Sequence, residues 1–493
     1  MIAAHLPALQ IVVPLIAAPL CLLLRRGALA WGLALVVSWA ALAMSALLLS
    51  QVLRHGVISY ALGDWAAPWG IEYRVDAVNG FVLLIVAAVG AVILPYARRS
   101  VAHELPSEQH SAFYAAFLLC LTGLLGVTIT GDAFNLFVFL EISSLSSYVL
   151  IALGRDRRAL TASFQYLVMG TIGATFIVIG IGLLYMVTGT LNMADLAQRL
   201  PPFGENRTVL VAFAFLTVGA SLKLALFPLH IWLPNAYTYA PSAVTGFLAA
   251  TATKVAVYIL LRFFFTVFGT DFAIETLTLR HLLVPLAVFA VLVCSTVAIF
   301  QDNIKRMLAY SSLAQIGYMI LGIGMASTTG LTAGIVHLFN HAMMKGGLFL
   351  ALGCVFLRVG SVRIEAMHGL GRTMPWTMFA FVLGGLSLIG VPLTAGFISK
   401  WYLVQAALEQ DSWLLAGLVL IGSLLAIIYV WRVVEVAYLR PPPAAAGAVR
   451  EAPLSMLIPT WILIGASIYF GIDTTLTVGV ARRAAVMLLG GAS

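Results

Sequence analysis

The chain has 493 residues, of which 62% are hydrophobic and only 9% charged, and its net charge is +8. Soluble globular chains carry about 25% charged residues, so the composition excludes a soluble enzyme and describes an integral membrane protein. The positive balance does not point to nucleic acid, because the basic residues sit at the ends of apolar runs and form no single patch.

Apolar runs of about 20 residues, separated by short polar loops, predict about fourteen transmembrane helices and no separate soluble domain. The expected spans are 6–24, 28–53, 76–96, 112–130, 132–153, 163–188, 208–240, 242–268, 280–300, 307–326, 330–357, 374–403, 412–438 and 454–472. Arg25 and Arg26 follow the first run rather than precede it. That is the wrong polarity for a cleaved signal peptide, so the run reads as a retained helix with its N-terminus outside. Alternation from there places fifteen of the 27 lysines and arginines on the cytoplasmic side and eight, Arg262 among them, outside, as the positive-inside rule asks. The remaining four are Lys223, Lys254, Lys345 and Lys400, and all four fall inside predicted helices. Both termini are then expected outside a bacterial cytoplasmic (inner) membrane.

The loops are short. Residues 54–78 alternate polar and apolar around turn signals and read as an outside hairpin. Residues 191–207 read as a short interfacial helix ended by two prolines, and 441–448, PPPAAAGA, as a flexible linker before the last helix. The four cysteines, Cys21, Cys120, Cys294 and Cys354, stand singly inside apolar runs and read as small core residues, with no metal and no cofactor expected.

Two spans are interrupted. In the seventh, Pro228 cannot donate to the carbonyl of Leu224 and Pro234 cannot donate to that of His230, so the helix should break beside Lys223. In the twelfth, Pro392 lies eight residues before Lys400, and VPL echoes FPL at 227–229. An offset of five crossings makes the two broken helices run in opposite directions, which predicts an inverted repeat with a transport site near the bilayer midplane. The expected units are 1–111 (three helices and the hairpin), 112–268 and 280–438 (a five-helix repeat each), and 439–493 (linker, last helix and tail).

Within this frame, ionisable side chains at membrane depth are costly and mark ion pathways. Glu141 sits in mid-helix at 132–153, with a structural salt bridge as the bland alternative; Asp132 and Asn135 read as cap groups. His337, His341 and Lys345 recur at i, i+4 and i+8 and line one helix face over about 12 Å. Two imidazoles and an amine bridged by water suit a proton wire; a shared zinc is the rival, but no carboxylate or thiolate in that helix completes it. A low-dielectric interior disfavours a charged lysine and a neighbouring carboxylate restores it, so making and breaking a Glu–Lys contact can switch a proton site. Lys400 could instead snorkel towards the interface, since Trp401 and Tyr402 follow it. His230 could line the same cavity or cap the broken helix. Arg432 with Glu435 reads as a surface ion pair, and Lys305 with Arg306 as topological anchors.

The stretches DAFNLFVFLEISSLSSYVL (132–150), GASLKLALFPLHIWLPNAYTYAPSAVTGFLAATATK (219–254), QDNIKRMLAYSSLAQIGYMILG (301–322), HLFNHAMMKGGLFL (337–350) and GVPLTAGFISKWYL (390–403) resemble the antiporter-like subunits of respiratory complex I and of Mrp-type (Mnh) Na⁺/H⁺ antiporters, the D-type subunits above all. The resemblance covers nearly the whole chain. It implies an all-α polytopic fold of fourteen helices with two inverted five-helix repeats, and a proton relay of Glu141, Lys223, Lys254, His337, His341, Lys345 and Lys400. The M-type subunit of complex I carries a glutamate where Lys400 stands. The chain also stops soon after its last expected helix, unlike the L- and A-type subunits. The implied function is proton translocation within a multisubunit monovalent cation/proton antiporter, beside A-, B-, C-, E-, F- and G-type subunits. The alternatives are a pumping subunit of a complex I-like quinone oxidoreductase or membrane-bound hydrogenase and, more remotely, a quinone- or haem-binding redox subunit.

Overall fold

The computed structural model describes residues 2–276, 280–441 and 449–490; the expected linker, apart from Pro441, lies outside the described residues. Thirteen described helices are long and apolar enough to cross a membrane. They begin with α1 (Leu6–Leu23), α2 (Gly27–His55), α3 (Ala77–Glu104), α4 (His110–Ile129), α5 (Ala133–Ala152) and α6 (Arg158–Thr188). The seventh crossing is split into α7 (Arg207–Leu224) and the two-turn α8 (Trp232–Tyr239). There follow α9 (Ser242–Leu261), α10 (Arg280–Ile299), α11 (Ile304–Gly324) and α12 (Thr328–Val359). The twelfth crossing is split into α13 (Pro375–Ile389) and α14 (Ala395–Leu408), neither long enough alone, so the crossings number as expected. The chain ends in α15 (Trp413–Leu439), α16 (Leu454–Ile472) and α17 (Thr475–Leu488). Where the sequence suggests only a tail, α17 is an amphipathic helix. It buries Val480, Ala481, Ala484, Ala485 and Leu488, leaves Arg482 and Arg483 exposed, and packs on α12 and α3.

The polar loop at 54–78 folds as expected into a hairpin of β1 (Ile58–Ala61) and β2 (Glu72–Val75), pairing Ser59 with Arg74 and Tyr60 with Tyr73. Met193–Arg199 forms the short helix, capped by Asn192 and followed by Pro201 and Pro202.

Burial sorts the helices into two shells. In α9 and α11 the most apolar window is 94% buried, and a helix apolar all round belongs inside. α6, α10 and α15 instead expose Phe164, Phe289, Leu414 and Trp431, the surface expected to meet lipid or partner subunits. The four lysines, both histidines and Glu141 all lie on the inner elements α5, α7, α9, α12 and α14.

Candidate functional site

Asp132 caps α5 by accepting from the Asn135 amide at 2.7 Å, the role its position suggested. Nine residues on, Glu141 meets the end of α7: Lys223 Nζ lies 3.5 Å from its Oε1 and donates to Ser144 Oγ at 2.8 Å. The pair is asymmetric, since the Glu141 side chain is 26% exposed and that of Lys223 only 3%. Lys223 is the penultimate residue of α7, because Ala225 turns left-handed (φ 60°) and its amide and that of Leu226 fold back to Leu222 and Ser221. Trp232 Nε1 donates to the Leu222 carbonyl at 3.1 Å. The break is therefore already complete before Pro228, which lies in the turn. Pro234 does not break the chain again: it is the third residue of α8, where an amide has no intrahelical partner to lose.

Lys254, in α9, makes no ion pair among the described residues. Its amine donates to the Ala249 carbonyl and, at 3.3 Å, to Thr253 Oγ1. Packing between α9 and α12 is close where Gly246 stands at the crossing: a Cβ there would lie 2.9 Å from Leu350 Cδ2. This brings Lys254 within electrostatic range of His341 and Lys345. No direct hydrogen bond joins Lys254 to Lys223.

His337, His341 and Lys345 do share one face, and Lys254 and all three are 0% exposed. The two imidazoles are parallel (7°) with centroids 6.1 Å apart. His337 Nδ1 is 2.8 Å from Ser399 Oγ, whereas His337 Nε2 and both nitrogens of His341 have no partner among the described residues. Buried polar atoms are nearly always paired, so three orphan nitrogens in one file mark a place for water. Lys345 donates to the Leu308 carbonyl at 2.9 Å and to Ser311 Oγ, both on α11.

Lys400 does not snorkel. Gly390 (φ 90°) ends α13 in left-handed backbone, leaving its last carbonyls open. Lys400 Nζ fills that end, donating to Leu388 O at 3.0 Å, Ile389 O at 2.9 Å and Ser423 Oγ at 2.9 Å. It also sits 4.8 Å over the Tyr318 ring, which makes an edge contact with His337 at 5.6 Å. Trp401 alone faces outward, 58% exposed. An ammonium at a helix C-terminus meets the negative end of the dipole, so the second break holds its lysine with backbone where the first uses a carboxylate.

Several expectations are corrected. His230, expected to line the cavity or cap the broken helix, is half-buried in the turn after Pro228, stacked on Phe227 at 5.2 Å, with Nδ1 lacking a partner among the described residues. Arg432 pairs with Asp302 at 3.3 Å and Glu435 with Arg440 at 3.1 Å, not with each other. Lys305, read as a topological anchor, has its side chain buried, donating to the Ala240 carbonyl at 2.9 Å. Arg262, counted as an outside loop residue, is buried against Asp76 at 2.5 Å. The spacing Lys254, Tyr258, Arg262 was the signal for it, the same i, i+4, i+8 file that singles out 337, 341 and 345.

The profile of the NADH:quinone oxidoreductase/Mrp antiporter transmembrane family matches residues 130–426. The chain belongs to this family. It is 43% identical over 475 residues to "NADH-quinone oxidoreductase subunit N" of Desulforudis audaxviator, covering 93% of this chain and 94% of that one. It is 32% identical over 398 residues to the D-type subunit of the Na(+)/H(+) antiporter of Alkalihalophilus pseudofirmus, covering 80% and 79%. A chain in the structure of the Mrp complex from Dietzia sp. DQ12-45-1b superposes with a TM-score of 0.90 over 99% of this chain and 98% of that chain, at 25% identity. This antiporter-family chain thus shares its fold with an Mrp component and its sequence with both antiporter and quinone-oxidoreductase subunits.

Proposed function

We propose that this chain is the proton-translocating subunit of a multisubunit monovalent cation (Na⁺)/H⁺ antiporter. The observation that carries the reading is the set of ionisable side chains on the inner helices between the two broken crossings: the Glu141–Lys223 pair, then Lys254, Lys345, His341, His337 and Lys400. Protons enter at the partly exposed Glu141 and are exchanged with Lys223; water bridges the gaps to Lys254 and along the orphan imidazole nitrogens. Ser399 and Tyr318 link the histidine file to Lys400. Two interrupted crossings, each presenting a lysine at its break, support an inverted repeat over 112–268 and 280–438, and the arginine distribution supports a cytoplasmic membrane location with both termini outside. The partners are the remaining antiporter subunits, and the cation path lies outside the residues named here.

Lys223→Ala in the assembled complex tests the relay. Cation-driven proton movement in membrane vesicles should be abolished with subunit levels intact, and near-normal antiport overturns the reading. The 43% identity to a quinone-oxidoreductase subunit N favours one second reading, a pumping subunit of a redox-driven complex. Vesicles distinguish the two: antiport runs on a cation gradient alone, whereas a redox pump moves protons only with electron donor and quinone.

A further inference from the structure

On the end of the bundle that carries the β-hairpin, a cavity of about 310 Å³ opens between β2, the α4–α5 turn and the end of α9, lined in part by Arg74, Thr130, Gln198, Tyr258, Arg262 and Thr266. At its floor Arg262 Nη2 bonds Asp76 Oδ2 at 2.5 Å, while its Nε donates to Tyr258 Oη at 2.9 Å and its Nη1 to Thr266 Oγ1 at 3.3 Å. Arg262 is 5% and Asp76 3% exposed. Tyr258 Oη donates in turn to the Thr128 carbonyl at 2.9 Å. Lys254, Tyr258 and Arg262 are spaced at i, i+4 and i+8, so one face of α9 leads from the relay lysine to the cavity floor over about 12 Å. The alternative is a pin that merely holds α9 to α3. A buried ion pair is weak evidence for stability, because desolvation offsets most of its attraction. This pair, moreover, lies between an open cavity and a relay lysine that has no carboxylate within ion-pair distance among the described residues.

We infer that Asp76 and Arg262 form a gate that closes a water path between this cavity and Lys254, giving the relay an exit on the hairpin-bearing face. The inference rests on the relay reading above. When the pair parts, a proton leaves the Lys254 ammonium, crosses by water and the Tyr258 hydroxyl, and is released into the cavity; the Arg262 guanidinium keeps its own protons. When the pair is closed, the Arg262 side chain, held by Asp76, Tyr258 and Thr266, fills the neck of the path and excludes the water that would carry the proton. Asp76 also caps α3, accepting from the amides of Val78 and Asn79 at 2.9 and 3.2 Å. Asparagine caps as well as aspartate, so Asp76→Asn removes the gating charge and retains the cap.

The test uses the whole complex in proteoliposomes, with Lys254→Cys as reporter and the membrane-impermeant methanethiosulfonate ethyltrimethylammonium added from the cavity face; Cys21, Cys120, Cys294 and Cys354 are buried and give a low background. The thiol should react slowly with the pair intact and about tenfold faster in Asp76→Asn, the response to a tenfold shift in the open population. Arg262→Gln, which removes the plug and leaves Asp76 on its cap, should act alike. In the chain that retains Lys254, Asp76→Asn should raise the passive proton leak. Equal labelling rates with and without the pair, or labelling from the opposite face alone, overturn the gate. Labelling needs no turnover, which separates the two readings: full antiport in Lys254→Ala would sink the relay, whereas a dead Lys254→Ala with equal labelling rates would sink the gate alone.

Discussion

Glu141→Gln is the cleanest probe of the entry switch, because it removes one charge and keeps the shape of the side chain. Lys223 Nζ and Glu141 Oε1 are 3.5 Å apart, which at an effective dielectric of about 20 gives a coupling of about 5 kcal/mol. Glu141 is 26% exposed, so screening reduces this to about 2–3 kcal/mol. If that coupling is used in the rate-limiting proton exchange, at about 1.4 kcal/mol per decade, transport should fall about 30- to 150-fold. Ser144, 2.8 Å from the Lys223 amine, holds the lysine in place, so subunit assembly should be unchanged. The assay is cation-driven quenching of a pH-sensitive dye in everted vesicles, scaled to the assembled complex by immunoblot. Glu141→Asp should be intermediate, since it keeps the charge but withdraws it by one methylene. Antiport within threefold of the parent in Glu141→Gln would refute the switch and leave the pair as a structural tie.

Two further substitutions address the second break. Gly390→Ala would place a Cβ at a φ of 90° and 3.0 Å from Lys400 Cδ; the backbone strain alone costs about 1–2 kcal/mol. It should lower the melting temperature of the complex and cut transport about tenfold by displacing the amine from Leu388 and Ile389, and unchanged values of both would show that the cap tolerates a side chain. Ser399→Ala removes the hydroxyl 2.8 Å from His337 Nδ1, leaving another buried polar atom unpaired at about 1–3 kcal/mol. Transport should drop several-fold at normal subunit levels; an unaltered rate would mean that His337 needs no fixed orientation.

The spans were legible because each is long, apolar and bounded by charge, and in a bilayer every backbone polar group must be satisfied within its own helix. The breaks were legible through Pro228 and Pro392, although the residues that end the helices, Ala225 and Gly390, are left-handed caps ahead of the prolines. The C-terminal helix was not legible, because Thr475–Leu488 is amphipathic and too short to register as a span.

For the proposed relay, sequence alone determined which groups lie at membrane depth: a lysine, histidine or glutamate amid twenty apolar residues has nowhere else to be. It also determined the 337–341–345 file, since helical periodicity is local. Partnership was decided only by tertiary packing. Whether Lys223 meets Glu141, Lys400 fills the end of α13, or Arg262 turns inward to Asp76 depends on which helix faces which. Those contacts span 82 residues for the first pair and 186 for the last, and no local pattern encodes them.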